Sequence, residues 1–274
     1  MPYSTGDSLP EYRAKASINP DSSNKIQEDE YARRFGFRAG LTPGISLFAY
    51  MSRPLVESMG RAWLERGSAD MRFVRPVYEG EEIRVIGAIS SVTPNGTVSV
   101  ECQAINNQGA VCGIGSAQLP SQSPAPEPGL ADYPPGRSRL HRPLSLESLQ
   151  PGEVLTPVTS EFTWNVHWQY CQKSIRDHHP IYEKTLHPGW ILSQASHILE
   201  ANYAVPAWID VSSQVQNFHC LEKEGQIATR GRVHAKFERN GDHFIVLNLA
   251  VFAQELCLQT ISYTAIFRIA PNAA

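Results

Sequence analysis

Apolar residues recur at intervals of three and four through a long segment in the first half of the chain, 45–66. This spacing predicts an amphipathic helix with most of one face buried, and it is kept by Phe48, Met51, Leu55, Met59 and Ala62. Thr42 is predicted to cap the helix and Pro43 to lie in its first turn. Because proline lacks an N–H group, we expect Pro54 to kink the helix or to cost it a hydrogen bond.

A second apolar segment begins at Pro188-Gly189 and continues to Ala204. Proline fits the first turn of a helix, where its missing N–H group is not needed, so this pair predicts a helix start. The segment has a broad apolar stripe, which predicts a buried helix. Its members are Trp190, Ala195, Ile198, Leu199 and Ala201.

Four strand-like segments follow each of these helices, and one strand and a short helix precede each. Turn residues such as Pro94-Asn95-Gly96 separate the segments, which favours an antiparallel meander. The strands are predicted at 12–18, 71–77, 82–91, 97–105 and 110–119, and again at 154–162, 211–218, 227–238, 244–253 and 257–269; the short helices at 28–35 and 167–176.

The same order of elements therefore occurs twice. One helix cannot bury both faces of a five-stranded sheet, so we expect the two units to join their sheets side by side. Residues 120–152 between them are rich in proline, which disfavours helix and sheet and leaves open a disordered spacer or an ordered strap. The predicted organisation is an N-terminal unit (1–119), a linker (120–152) and a C-terminal unit (153–274).

Composition narrows the function classes. The chain of 274 residues is 42% hydrophobic, enough for a sizeable core, and its formal net charge of -3 gives no footprint for nucleic acid. No apolar run is long enough to span a membrane and no export signal begins the chain, so we expect a soluble cytoplasmic protein. The five scattered cysteines match neither a disulfide framework nor a zinc motif and are interpreted as free thiols. Neither a metal nor a cofactor is predicted.

Candidate chemistry concentrates in the loop 170–189, just before the second long helix. Several of its side chains can carry or donate protons: Asp177, His178, His179, Tyr182 and His187. A loop that delivers polar groups to the start of a buried helix is a plausible place for catalysis, although the Asp-His-His-Pro sequence is also compatible with a capping turn.

These residues resemble the MaoC-like, (R)-specific enoyl-CoA hydratase family. The family motif has a tyrosine, then S-G-D-x-N-P-I-H, then a proline-rich H-G before the helix; this chain has Y-x-x-x-S-I-R-D-H-H-P-I-Y and L-H-P-G. In the resemblance, Asp177 falls on the catalytic aspartate, His179 on the asparagine and Tyr182 on the catalytic histidine. His187 and Gly189 lie near the H-G pair. The fold that this implies is a double hotdog, of class α+β, with a long helix wrapped by an antiparallel sheet in each repeat.

The first repeat carries a weaker copy of the motif, S-S-N-K-I-Q-E-D. Asn24 aligns with the family's asparagine and Gln27 replaces the histidine, while Ser22 stands where the aspartate would be. Neither repeat therefore keeps both an aspartate and a histidine at the family positions. Asn24 and Gln27 are predicted to bind a ligand through hydrogen bonds or to satisfy backbone groups of the loop.

The resemblance implies a hydro-lyase, a hydratase or dehydratase acting on an acyl thioester or a small carbonyl compound in the C-terminal repeat. The predicted catalytic residues are Asp177, His187 and Tyr182, and the predicted substrate-binding residues are His179, Gly189, Asn24, Gln27 and Trp190. Two alternatives stay open: a protein that binds an acyl or polyketide group without hydrating it, and a hotdog thioesterase. The expected partner is a small acyl-thioester or polyketide-like molecule, and a homodimer is an open arrangement.

Overall fold

The computed structural model describes residues 3–19, 22–126 and 141–270. Its α-helices are α1 (Asp29–Arg33), α2 (Gly44–Arg66), α3 (Trp164–Gln169) and α4 (Pro188–Asn202). The two long helices lie close to the two predicted apolar segments. Each follows a short helix through a loop, as the repeat predicts.

The break in α2 lies at Gly60 rather than at Pro54. Gly60 has φ 58° and ψ -144°, a conformation that a residue with a Cβ atom adopts only at a cost in energy. Pro54 is buried inside the helix, and the φ angle that its ring imposes is compatible with helical backbone. The kink therefore lies at Gly60, and of the two outcomes expected at Pro54 the lost backbone hydrogen bond is the one compatible with the structure.

The strands form one large antiparallel sheet with ten members, and a two-residue pair lies apart from it. The order in the large sheet is β1-β3-β4-β5-β2-β9-β12-β11-β10-β7, and β6 pairs with β8 in parallel. The strands are β1 (Tyr12–Lys15), β2 (Ser68–Phe73), β3 (Glu82–Val92), β4 (Val98–Asn106), β5 (Val111–Leu119), β6 (Arg142–Pro143), β7 (Val158–Phe162), β8 (Tyr203–Ala204), β9 (Ile209–Asn217), β10 (Gly225–Arg239), β11 (Asp242–Ala253) and β12 (Leu256–Arg268).

The two halves of the sheet meet where β2 pairs with β9, with Asp70 opposite Gln214 and Arg72 opposite Ser212. On either side of this junction the strands follow the same order, which is the arrangement expected for two repeats joined edge to edge. Both long helices contact the sheet, and a single hydrophobic core contains residues of both repeats, for example Phe48, Leu192 and Leu247. The shared core ties the two repeats together, because neither could bury its helix and its sheet alone.

Several predicted boundaries differ from the observed ones. The strand predicted at 71–77 is β2 at Ser68–Phe73. Val77 is buried outside any strand, where its carbonyl accepts a hydrogen bond from the Thr42 N–H group at 2.8 Å. The helix predicted at 167–176 divides into α3 and a π-helical turn at Tyr170–Ser174. Apolar patterns indicate burial, and burial alone does not say which backbone geometry produces it.

Residues 127–140 of the proposed linker lie outside the described residues, and the boundaries of the three proposed segments remain a prediction. Within the described part, β6 follows this stretch and lies against β8, directly after α4. All five cysteines are free thiols, as expected. None of the helices in the described part of the chain is long and apolar enough to span a membrane.

Candidate active site

Two short turns with side-chain caps shape the loop that precedes α4. His179 caps a 3-10 turn at Pro180–Glu183, where its Nδ1 accepts a hydrogen bond from the Ile181 N–H group at 3.1 Å. His187 caps α4 in the same way, accepting from the Gly189 N–H group at 2.9 Å. In both cases a proline occupies the first turn, where no N–H group is required.

Asp177 lies buried beneath these turns, with 2% of its side chain exposed. Its Oδ1 accepts hydrogen bonds from Arg53 Nη1 at 2.5 Å and from the His179 N–H group at 3.0 Å. Its Oδ2 lies 3.5 Å from His187 Nε2, longer than a direct hydrogen bond. Burial by itself would raise the pKa of Asp177. The adjacent His187, the Arg53 guanidinium and the His179 N–H group outweigh it and lower the pKa to about 2.

Arg53 is the residue of this site that the sequence analysis missed. It comes from α2 in the first repeat and also donates to Glu57 Oε2 at 2.8 Å, and Glu57 in turn lies 3.4 Å from His179 Nε2. A charged residue between the buried positions Ser52 and Pro54 was the available signal. The sequence could not indicate its partner, because 124 residues separate Arg53 from Asp177.

His187 is completely buried, and both its backbone N–H group and its ring form hydrogen bonds. The pKa of its imidazole is lowered, chiefly by burial, so the ring is neutral at pH 7. Because Nδ1 accepts from Gly189, the proton of the neutral ring lies on Nε2, which faces Asp177. The His187 N–H group donates to His167 Nε2 at 2.9 Å, and burial lowers the pKa of His167 to about 3. Both imidazoles are therefore uncharged donors and acceptors.

Two buried tyrosine hydroxyls complete the site. The hydroxyls of Tyr182 and Tyr170 form no hydrogen bond with any other group in the described part of the chain. Burial raises the pKa of each well above its ordinary value, so both stay protonated. The ring of Tyr182 lies 4.3 Å from that of His187, and a Cβ atom placed on Gly189 would lie 2.6 Å from the Tyr170 oxygen.

The remaining predicted binding residues lie elsewhere. Asn24 holds the Trp208 backbone through its amide, donating to the carbonyl at 2.9 Å and accepting from the N–H group at 3.0 Å. Gln27 bridges Asn19 and Ser22 in its own loop. Trp190 is buried in the core with its ring 5.8 Å from Phe162. The contacts of Asn24 and Gln27 match the backbone-supporting role left open for them, and a ligand-binding role for these three residues stays a prediction.

The N terminus of α2, the counterpart of this site in the first repeat, is occupied by a carboxylate. Thr42 does not cap the helix as predicted; instead Asp210 of β9 accepts a hydrogen bond from the Ile45 N–H group at 3.2 Å and another from the Tyr263 hydroxyl. Burial raises the pKa of Asp210. A mostly apolar cavity of about 190 Å³ lies beside it and is lined by Asn24 and Trp208, among others.

A second cavity, of about 280 Å³, opens directly over the candidate catalytic loop. Asp177 and Tyr182 form its buried end, while Trp168 on α3 is 54% exposed. The residues that line it are Trp164, His167, Trp168, Cys171, Gln172, Asp177, His178, His179, Tyr182 and Glu183. No cluster of three or more metal-ligating side chains occurs among the residues that the structure describes. The site therefore combines the ionised Asp177 with the neutral imidazoles of His167 and His187 and the protonated hydroxyls of Tyr170 and Tyr182.

The sequence matches no family model and no curated protein, whereas several solved structures are similar in fold. One is a putative MaoC domain protein dehydratase from Chloroflexus aurantiacus, with a TM-score of 0.63 and 13% identity over 97% of this chain and 96% of that one. Another is a conserved hypothetical protein from Mycobacterium tuberculosis, described as a double hotdog, with a TM-score of 0.58 and 12% identity over 97% and 98%. A putative oleoyl thioesterase from Lactobacillus plantarum has a TM-score of 0.50 and 9% identity over 96% and 97%.

At these identities the likeness concerns the fold, on which several chemistries occur. The likeness to the first two structures covers 97% of this chain in each case. The predicted α+β class and the structural resemblance are confirmed: the chain has a double hotdog fold similar to that of MaoC-like dehydratases.

Proposed function

We propose that this protein is a hydro-lyase-like enzyme that adds water to, or removes water from, an acyl thioester at the site in its C-terminal repeat. The observation that carries the proposal is the pair formed by Asp177 Oδ2 and His187 Nε2. These atoms are buried, lie 3.5 Å apart and are without another hydrogen-bond partner in the described part of the chain. A hydroxyl group or a water molecule that reached this pair would find an acceptor in Asp177 Oδ2 and a donor in His187 Nε2–H.

In the dehydration direction Asp177 acts as the base. Its carboxylate removes the proton from the α-carbon of a 3-hydroxyacyl thioester, and the electron pair moves towards the thioester carbonyl. The protonated Asp177 then gives that proton to the hydroxyl on the β-carbon, which leaves as water while the double bond forms. Hydration is the reverse, so one carboxylate carries the proton in both directions. His187 and Arg53 together keep Asp177 ionised between turnovers.

His187 and Tyr182 supply hydrogen bonds rather than charge. The His187 Nε2–H group orients the hydroxyl or water against Asp177, and its neutral state at pH 7 leaves that donor in place. The protonated Tyr182 hydroxyl is suited to hold the thioester oxygen as negative charge develops. The positive end of the α4 dipole favours the same charge. His179 positions Asp177 through its backbone N–H group.

One observation favours the alternative, a protein that binds an acyl group without hydrating it. The Gly189 N–H group at the start of α4 donates to His187 Nδ1, so it is not available to a substrate oxygen in this conformation. Under that alternative, ligand binding would occur without any change in the thioester. A thioesterase is a further alternative, because a solved structure of similar fold is named as one. A cytoplasmic location and a homodimer remain predictions from the sequence.

Mass spectrometry of thioesters incubated with the purified protein tests these functions together. The set includes short, medium and aromatic enoyl-CoA and 3-hydroxyacyl-CoA compounds, with Asp177→Ala run in parallel. A mass change of one water that disappears in the variant supports the hydro-lyase. Release of free CoA would instead indicate that the protein is a thioesterase. Binding without any change in mass would favour the acyl-binding protein.

A further inference from the structure

Most of the residues that line the cavity over the candidate loop carry a ring. Six of its ten lining residues carry a ring, two indoles, one phenol and three imidazoles: Trp164, Trp168, Tyr182, His167, His178 and His179. Trp164 and Trp168 lie four positions apart on α3, so they share one face of that helix. An aromatic ligand that pairs with such rings gains attraction beyond that of the apolar area it buries.

Charge and size both restrict what this cavity can hold. Its charged lining residues are the acids Asp177 and Glu183, and none of the ten lining residues is Lys or Arg. The phosphates of a CoA moiety would therefore be repelled here, whereas an uncharged acyl group would not. A volume of about 280 Å³ is at the lower limit for sites that bind small molecules, so the cavity suits one compact group better than a long chain.

Trp168 has a large apolar side chain that packing within the chain leaves exposed. Its side chain is 54% exposed although it is large and apolar, and it lies at the rim of a cavity whose other end is the buried Asp177. Val166, its neighbour on α3, is also exposed at 46% but does not line the cavity. The indole is therefore held where a ring entering towards Asp177 would cover it.

We propose that this cavity receives an aromatic acyl group, which Trp168 and Trp164 stack against while the thioester carbons reach Asp177. The substrate class is an aryl-substituted enoyl or 3-hydroxyacyl thioester, such as a cinnamoyl thioester. This inference rests on the proposed function for its chemistry, and it adds the selectivity for the acyl group. Trp168 is a specificity-determining residue and Asp177 is the catalytic one.

The test compares hydration of cinnamoyl-CoA and hexenoyl-CoA by the full-length protein, followed through loss of the enoyl absorbance. We expect a higher kcat/KM for cinnamoyl-CoA. Trp168→Ala should lower the ratio of the two kcat/KM values by about two- to tenfold, since that is the range for an aromatic pair. Trp168→Phe should retain most of the ratio, and Val166→Ala on the same helix should leave it unchanged.

A wild-type preference for hexenoyl-CoA would overturn the inference, as would an equal loss with both substrates in Trp168→Ala. If neither thioester is hydrated, the proposed function fails, and calorimetric titration with the same two compounds still decides the inference. Tighter binding of cinnamoyl-CoA that is weakened by Trp168→Ala alone would support the aromatic cavity. Equal binding of both compounds would refute it.

Discussion

The two long helices begin with the same pair of residues, but the N–H groups at their N termini have acceptors from different parts of the chain. Each starts at a Pro-Gly pair, Pro43-Gly44 in α2 and Pro188-Gly189 in α4. At α4 the cap is local, because His187 accepts from Gly189 two residues later. At α2 the cap comes from the other repeat, where Asp210 accepts from Ile45 across 165 positions of sequence.

The buried carboxylates at these two places also differ in charge environment. Asp177 faces the Arg53 guanidinium, and its pKa is lowered to about 2. Among its hydrogen-bond partners Asp210 has only uncharged donors, including the Tyr263 hydroxyl, and burial raises its pKa. His187 and the Arg53 guanidinium thus keep Asp177 ionised, while its Oδ2 forms no hydrogen bond in the described part of the chain. Uncharged donors instead hold Asp210 in place at the end of a helix. The same residue type is thus proposed to serve chemistry at the start of α4, and it caps the start of α2.

The largest effect expected from this comparison is on turnover. Asp177→Asn should lower kcat/KM for hydration by about 100- to 1,000-fold, because the amide cannot accept the substrate proton. Asp210→Asn is the matched change at the N terminus of α2, the helix of the first repeat, and should leave kcat/KM within about twofold. Steady-state kinetics on the folded variants measures both. Equal losses in the two variants would contradict a single active site in the C-terminal repeat.

The second effect is on stability, and it is expected at Asp210 rather than at Asp177. Asp210→Ala removes the acceptor for the Ile45 N–H group and the Tyr263 hydroxyl, and we expect the free energy of unfolding to fall by about 3 kcal/mol. Asp70→Ala is the control, since Asp70 accepts from Gln214 at a partly exposed position, and it should change stability by no more than about 0.5 kcal/mol. Urea unfolding followed by circular dichroism measures both. A small loss in Asp210→Ala would mean that the Asp210 cap contributes little.

The third effect concerns Gly189 and Gly44, where a larger side chain should disturb packing at both positions but turnover at only one. A Cβ atom on Gly189 would lie 2.7 Å from Ala49 Cβ, and one on Gly44 would lie 2.4 Å from Phe73. Both Gly→Ala variants should therefore lose about 2 kcal/mol of stability through overpacking. Only Gly189→Ala should also lower kcat, because it displaces the Tyr170 hydroxyl and the His187 ring. A loss of kcat in Gly44→Ala alone would place the active site in the first repeat.

The effect that is smallest at neutral pH is on the pH dependence of stability. The pKa of His167 falls from 6.5 in the unfolded chain to about 3 in the fold, so the unfolded chain binds more protons between these values. Stability should therefore decrease as the pH falls from 6.5 towards 3, by up to about 1.4 kcal/mol per pH unit. His167→Asn retains an acceptor for the His187 N–H group and should make this slope shallower. Urea unfolding at pH 4 to 7 measures it, and equal slopes would contradict the prediction.

Asp177 changes stability in the same direction as His167 but in a lower pH window. Its lowered pKa stabilises the fold above pH 3.8, and this contribution is lost only as the pH falls from 3.8 towards 2. Ionisation of Asp177 therefore does not contribute to the slope between pH 4 and 7. The contributions of these two buried groups to stability can therefore be distinguished by pH alone.

Hydrophobic periodicity predicted the elements well, and the repeat with them. The helix predicted at 45–66 is Gly44–Arg66, and the strand predicted at 244–253 is Asp242–Ala253. These elements depend on which side chains face the core, and that information is local. The loop motif likewise brought Asp177, His179, Tyr182 and His187 together, because they lie within a few residues of one another.

The sequence by itself thus determined the two repeats, their helices and strands, and the polar loop before α4. Only the tertiary structure decided that Arg53 pairs with Asp177, that Asp210 closes the N terminus of α2, and that β2 joins β9. Each of these contacts connects residues more than a hundred positions apart. Their energies depend on burial and on the approach of unlike groups in space, and no spacing along the chain records that approach.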